Sequence, residues 1–152
     1  MDSETARGIA YYSHHDRRDP LGELRIEHIA RVAAAVPPPA RTSAWLHELV
    51  AHSDTAPASL RDEGLTDLES ETLDLLTPRA GESFELHALR IVHATGPAGD
   101  LARAVRLADI DDHLAQAARD HVLRDEPPYA WARRHLAGRV RPGADHATLA
   151  WE

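Results

Sequence analysis

Apolar residues recur along this chain at helical spacing, three and four apart, and they do not alternate with polar ones as in a half-buried strand. The pattern predicts an all-α domain. A first helix is expected from Ser3 to about His14. The stretch "DRRDPLG" breaks it, because Pro20 disfavours helix in the residue before it and Gly22 loosens the chain after it. A second helix should run from about Glu23 to Val36, with Ile26, Ile29, Ala33 and Val36 on one stripe, until the prolines at 37 to 39 stop it. A third covers about Arg41 to His52 and buries Leu46, Leu49 and Val50.

Beyond it the chain reads as shorter helices. One follows Pro57 and ends near Gly64, and the next opens at "TDLE", where Thr66 and Glu69 stand at capping-box spacing. Another starts near Ser83 and stops at Gly96. The longest starts near Gly99 and passes through "LARAVRLADIDDHLAQAA". Pro127 and Pro128 suit the first turn of a last helix that ends near Gly138. One domain over residues 1–141 is expected, with a loose tail over 142–152.

The chain of 152 residues is long enough to bury a core without staples, and its lack of cysteine excludes disulfides and thiolate metal sites. A cytoplasmic location is the expectation, with no membrane segment, since no long apolar run occurs and the opening "MDSETARGIAYY" turns polar at once. Net charge is −8, and every basic residue other than histidine is arginine. That balance argues against nucleic acid as a partner, because polyanion binding needs a surplus of cations. It leaves room for a small phosphorylated molecule, which arginine forks or a bound divalent cation can neutralise.

"WLHELVAHSDT", residues 45 to 55, is the stretch most suggestive of metal chemistry. The zinc-protease motif needs histidines four apart, whereas His47 and His52 are five apart and about 140° from each other around a helix. Glu48 with His52, and Asp109 with His113, are four apart and can share a helix face, although that spacing is also common on ordinary solvated faces.

Several segments taken in order resemble the HD superfamily of metal-dependent phosphohydrolases, especially its small branch similar to the guanosine tetraphosphate hydrolases. "GELRIEHIARVAAAV" resembles the family's first segment and carries its ligand histidine onto His28. "AWLHELV" resembles the histidine-aspartate doublet, placing ligands at His47 and Glu48. "AVRLADIDDHL" resembles the last segment, with Asp109 as the final ligand, and "LRDEGLTDLESETLDLLTPRAGESFELHALRI" resembles the linking helices. The resemblance, covering roughly residues 5 to 125, implies a compact helical bundle of the HD type around one divalent ion. A thiolate-free nitrogen and oxygen set suits manganese first, with iron, cobalt, nickel, magnesium and zinc as alternatives. Such an ion makes water more acidic and polarises a phosphoryl oxygen.

The chain departs from the family's pattern in three places. Glu48 stands for aspartate in the doublet. The acidic pair that follows it falls on Ala51 and His52; alanine cannot move a proton, while His52 is a candidate general acid or base, with Asp54 or Asp112 as a nearby carboxylate. His113 stands where asparagine is usual and could touch the ligand or hold Asp109 in place. On the ligand side, "HHDRRDPLG" resembles a basic loop that begins with histidine, so His14 and Arg17 or Arg18 are expected near a base or phosphate. Tyr129 could stack on the ligand. The implied function is hydrolysis of a nucleotide or related phosphate ester or diphosphate. The alternative is an HD-type module that has lost hydrolysis and binds nucleotide or metal in a regulatory role.

Overall fold

Asp2 opens the first helix, α1 (Ser3–His14), by accepting the free backbone N–H groups of Glu4 and Thr5. The computed structural model describes residues 1–52, 57–119 and 126–139, which contain seven α-helices and two 3-10 helices. Asp54, the C-terminal residues 142–152 and the boundary at 141 lie outside the described residues.

Between α1 and α2 (Arg25–Ala35) the chain turns on Asp19. Its carboxylate accepts the N–H groups of Leu21 and Glu23, and Gly22 takes a φ of 90° that favours glycine. The prolines after Val36 form a short 3-10 turn (Pro38–Ala40) that runs directly into α3 (Arg41–His52). The segment after Pro57, expected as a short helix, is the 3-10 helix Pro57–Glu63. The capping box of α4 (Asp67–Leu76) is complete, with Thr66 and Glu69 each accepting the other's backbone N–H.

Ser83 caps α5 (Phe84–His93). The longest helix, α6 (Gly96–Arg119), begins three residues before the expected Gly99. Pro97 lies in its first turn, where a missing N–H costs nothing. Gly99 lies inside the helix because a side chain there would meet the Ala94 backbone at 2.8 Å. The last helix is α7 (Glu126–Ala137), with Pro127 and Pro128 in its first turn.

Helix α1 packs chiefly on α3, α2 on α3 and α6, α4 on α3 and α6, and α7 on α5 and α6. Their apolar stripes meet in a core that fully buries Ile29, Leu46, Leu73, Ile91, Ile110 and Leu136. Each such side chain contributes roughly 1.5–3 kcal/mol by leaving water. Because α2, α3 and α6 pack in pairs, polar residues bordering their stripes are drawn to one junction. Among the described residues, no helix is long and apolar enough to cross a membrane.

Candidate metal centre

His28 on α2, His47 and Glu48 on α3, and Asp109 on α6 are all buried, and their polar ends face one another. His28 Nε2 lies 3.2 Å from Asp109 Oδ1, and His47 Nε2 lies 3.9 Å from the same oxygen. Glu48 Oε1 is 3.8 Å from His47 Nε2. His113, one helical turn after Asp109, places its Nε2 3.2 Å from Asp109 Oδ1. Two triads, His28 with Asp109 and His113, and His28 with His47 and Glu48, each offer ligand atoms within 4.8 Å of one another.

The outer sides of these groups are already occupied. His47 Nδ1 lies 2.6 Å from the Ala44 carbonyl oxygen. A carbonyl only accepts, so Nδ1 carries the proton and the Nε2 lone pair of the neutral ring points inward. Asp109 Oδ2 accepts from Arg106 at 2.6 Å, leaving Oδ1 toward the histidines. Glu48 Oε2 accepts from Arg25, leaving Oε1 on the His47 side. Each carboxylate thus has one oxygen held by an arginine and the other turned to the centre.

Three of the atoms that face the centre lack hydrogen-bond partners. His28 Nε2, His47 Nε2 and Asp109 Oδ1 are all buried without one. Buried polar atoms are seldom left so, since each costs about 1–3 kcal/mol. Two ligands each about 2.1 Å from one ion stand at most about 4.2 Å apart, and the separations of 3.2, 3.8 and 3.9 Å fall inside that span. The residues therefore fit a divalent cation: inward lone pairs, no thiolate, and mixed imidazole and carboxylate donors.

The charges agree. Burial acts to raise the Asp109 carboxyl, but Arg106, His113 and His28 hold it well below the usual carboxylate range. Burial also works against the Glu48 carboxylate, and His52 and His47 overcome it. His47 is pushed down by burial and stays neutral. Burial pushes His28 down, yet the nearby Asp109 and Asp112 carboxylates outweigh this and carry it up to about 9, so the ring becomes a donor to a cation only by giving up its Nε2 proton.

Two cavities open onto the cluster. The larger, about 370 Å³, is lined by Leu21, Leu24, Arg25, Leu114, Gln116 and Tyr129 along with His28, Glu48, His52 and His113. The smaller, about 280 Å³, passes His47, Ala51, Phe84, His87 and Arg106 and also reaches Tyr129. Tyr129 therefore faces both, its ring 5.3 Å from that of His113 and 5.0 Å from Phe84. His52 lines both cavities as well, with its Nε2 3.5 Å from Glu48 Oε2, a contact that raises its pKa. Ala51 presents only a methyl group to the smaller one.

The expected ligand loop is arranged differently. Arg17 and Arg18 are exposed and line neither of these cavities; Arg18 donates instead to the Gly22 carbonyl at 2.6 Å. His14 is buried behind α3 with both ring nitrogens unpartnered, and burial lowers its pKa. Asp112 binds His28 Nδ1 at 2.8 Å and also pairs with Arg31. Arg25 and Arg31 are not marked in the sequence, because their partners Glu48 and Asp112 come from other helices, whereas Arg106 stands three residues before Asp109 on the same helix, a spacing the sequence does offer.

No protein-family model matches the chain, and no curated protein matches it.

Proposed function

We propose that the protein is a metal-dependent phosphohydrolase of the HD type that acts on a nucleotide or a related phosphate ester or diphosphate. The observation that carries this is the set of buried, unpartnered atoms His28 Nε2, His47 Nε2 and Asp109 Oδ1 gathered beside Glu48. These four residues would hold the ion, with manganese first among the borderline cations. Bound there, it would supply a Lewis acid for a phosphoryl oxygen and make a nearby water more acidic.

The chain's own residues complete the proposal. The larger cavity, at about 370 Å³, has the size of a small-molecule site and combines leucines with Tyr129, Gln116 and Arg25. A base or sugar would lie against Leu24, Leu114 and Tyr129, with Arg25 the cation nearest a phosphate. His52, on the shared wall of the two cavities with its pKa raised by the Glu48 carboxylate, would move the proton. The partners proposed are thus a small phosphorylated molecule and a divalent ion, with no nucleic acid, and the proposed location is the cytoplasm.

Purified protein loaded with Mn2+ and offered a panel of nucleoside phosphates should release phosphate or pyrophosphate. Asp109→Ala and Asp109→Asn should abolish the release. If metal analysis finds no divalent ion, and adding one changes neither stability nor turnover, the proposal is wrong.

Ala51 favours a second reading, in which the fold binds nucleotide or metal without hydrolysis. That reading predicts a raised melting temperature on binding and no product. Turnover gained only in the double variant Ala51→Glu, His52→Asp, which restores the acidic pair, would support it; turnover by the natural chain that disappears in His47→Ala would exclude it.

A further inference from the structure

We propose that Asp112 is a positioning residue for His28: it holds the Nδ1 proton and so turns Nε2 toward the ion, a role that rests on the metal-site reading above. The evidence is a chain of contacts linking α2, α6 and the turn before α2. Asp112 Oδ2 is 2.8 Å from His28 Nδ1. Arg31 grips the same carboxylate with two donors, Nε to Oδ1 at 2.6 Å and Nη2 to Oδ2 at 2.9 Å. Arg31 is itself held by Glu23, through Nη1 at 2.8 Å and Nη2 at 2.9 Å.

A carboxylate that accepts two guanidinium N–H groups is ionised and can only accept from His28. The proton on that edge of the ring therefore belongs to Nδ1. The opposite nitrogen, Nε2, is buried without a hydrogen-bond partner and lies 3.2 Å from Asp109 Oδ1. His47 reaches the same orientation through a backbone carbonyl, whereas His28 uses a carboxylate, which makes an imidazole the stronger metal donor.

Geometry also separates Asp112 from the substrate. It lines neither cavity at the cluster and opens instead, with Arg31, onto the far side of the α2–α6 contact beside Ala108 and Ala115. The nearby carboxylate that the sequence suggests for proton handling is, in this proposal, spent on orientation.

The test compares Asp112→Ala, Asp112→Asn and Arg31→Met with the natural chain. In metal-free protein selectively labelled with 15N-histidine, a solvent-protected Nδ1 proton assigned through His28→Gln should be present in the natural chain. It should persist in Asp112→Asn, which keeps an acceptor, and vanish in Asp112→Ala. Titration with Mn2+ alone, followed by the electron paramagnetic resonance of the free ion, should show affinity falling roughly 10–100-fold in Asp112→Ala. The fall should be several-fold smaller in Asp112→Asn, and Arg31→Met should stay close to the natural chain while melting earlier.

Asp112→Leu, of similar bulk, replaces the alanine variant if that chain does not fold. A protected Nδ1 proton or natural Mn2+ affinity in the alanine or leucine variant would overturn the proposal. So would equal losses in all three variants, which would reduce the effect to packing. If the natural chain takes up no Mn2+ while the proton pattern holds, the metal reading falls and the hold of Asp112 on His28 stands.

Discussion

Around Arg90, at the turn between α4 and α5, every strong donor ends on an acceptor. Its guanidinium bonds both oxygens of Glu82 at 2.7 and 2.8 Å and the carbonyls of Leu75 and Thr77 at 3.1 and 2.8 Å, while Glu82 also accepts the Arg79 N–H. Around His28, three buried atoms on three helices lack hydrogen-bond partners although charged groups surround them. Both regions are polar, the Arg90 cluster partly and the His28 cluster fully shielded from water, and the difference in burial is the smaller one. What distinguishes them is saturation: a cluster that stabilises a turn uses up its own hydrogen-bonding capacity, and one that holds a ligand keeps some open.

The sharpest way to break this contrast is at Asp109. Asp109→Asn should lower Mn2+ affinity by about a thousandfold or more, since it removes the anionic ligand between two histidines. Saturating Mn2+ at about 100 times Kd should stabilise the natural chain by about 2.7 kcal/mol and the variant not at all. Thermal scans with and without the ion would read this directly. A variant that still gains stability from Mn2+ would remove Asp109 from the site.

Arg90→Met should do the reverse. Losing the guanidinium leaves the Glu82 carboxylate and two carbonyls without their donor, at a cost of roughly 2–3 kcal/mol. Mn2+ affinity should be unchanged, and equal damage to both properties would erase the distinction between the two regions.

Acid should act on the saturated cluster in a defined window. The bond to Arg90 lowers Glu82 from an ordinary 4.5 to about 2, outweighing its burial. A depressed folded-state pKa means that the stabilisation is complete above about 4.5 and is lost as pH falls toward 2. Urea unfolding between pH 5.5 and 2.5 should show a smaller decline in Glu82→Gln than in the natural chain. A parallel decline in both would show that Glu82 contributes nothing to acid sensitivity.

The smallest effect is expected at His113, which is partly exposed at the rim. His113→Ala should weaken Mn2+ binding by roughly tenfold, the cost of an outer contact to Asp109. A loss as large as that of Asp109→Asn would make it an ion ligand in its own right.

The helices were legible because periodicity and proline breaks mark them locally, and the Thr66 cap was written in four adjacent letters. The start of α6 was not. Glycine usually marks a boundary, but Gly99 serves a close approach to Ala94, a requirement set by packing. Similarly, His28, His47, Glu48 and Asp109 could be picked out because their segments, taken in order, resemble a known family's, whereas Arg31 could not. Its partner Asp112 lies 81 residues away, and nothing near either residue in sequence points to the other. Arg17 and Arg18 stand out because their segment resembles a basic ligand loop, while Arg25, closer to the cluster, reads as an ordinary helix start.

The tight crossing at Gly99 bears on the distant cluster. With the Ala94 backbone fitted against it and Arg103 donating to the carbonyls of Ile91 and Ala94, the near end of α6 is clamped in the α5–α6 corner. Asp109 sits ten residues farther along the same rigid rod, about 15 Å away at 1.5 Å per residue. A slip of one residue at the corner would advance the carboxylate by about 1.5 Å and rotate it by roughly 100°, away from both histidines. The corner thus works as the datum from which the depth and bearing of Asp109 are measured, so a substitution that touches no ion can still misalign the site.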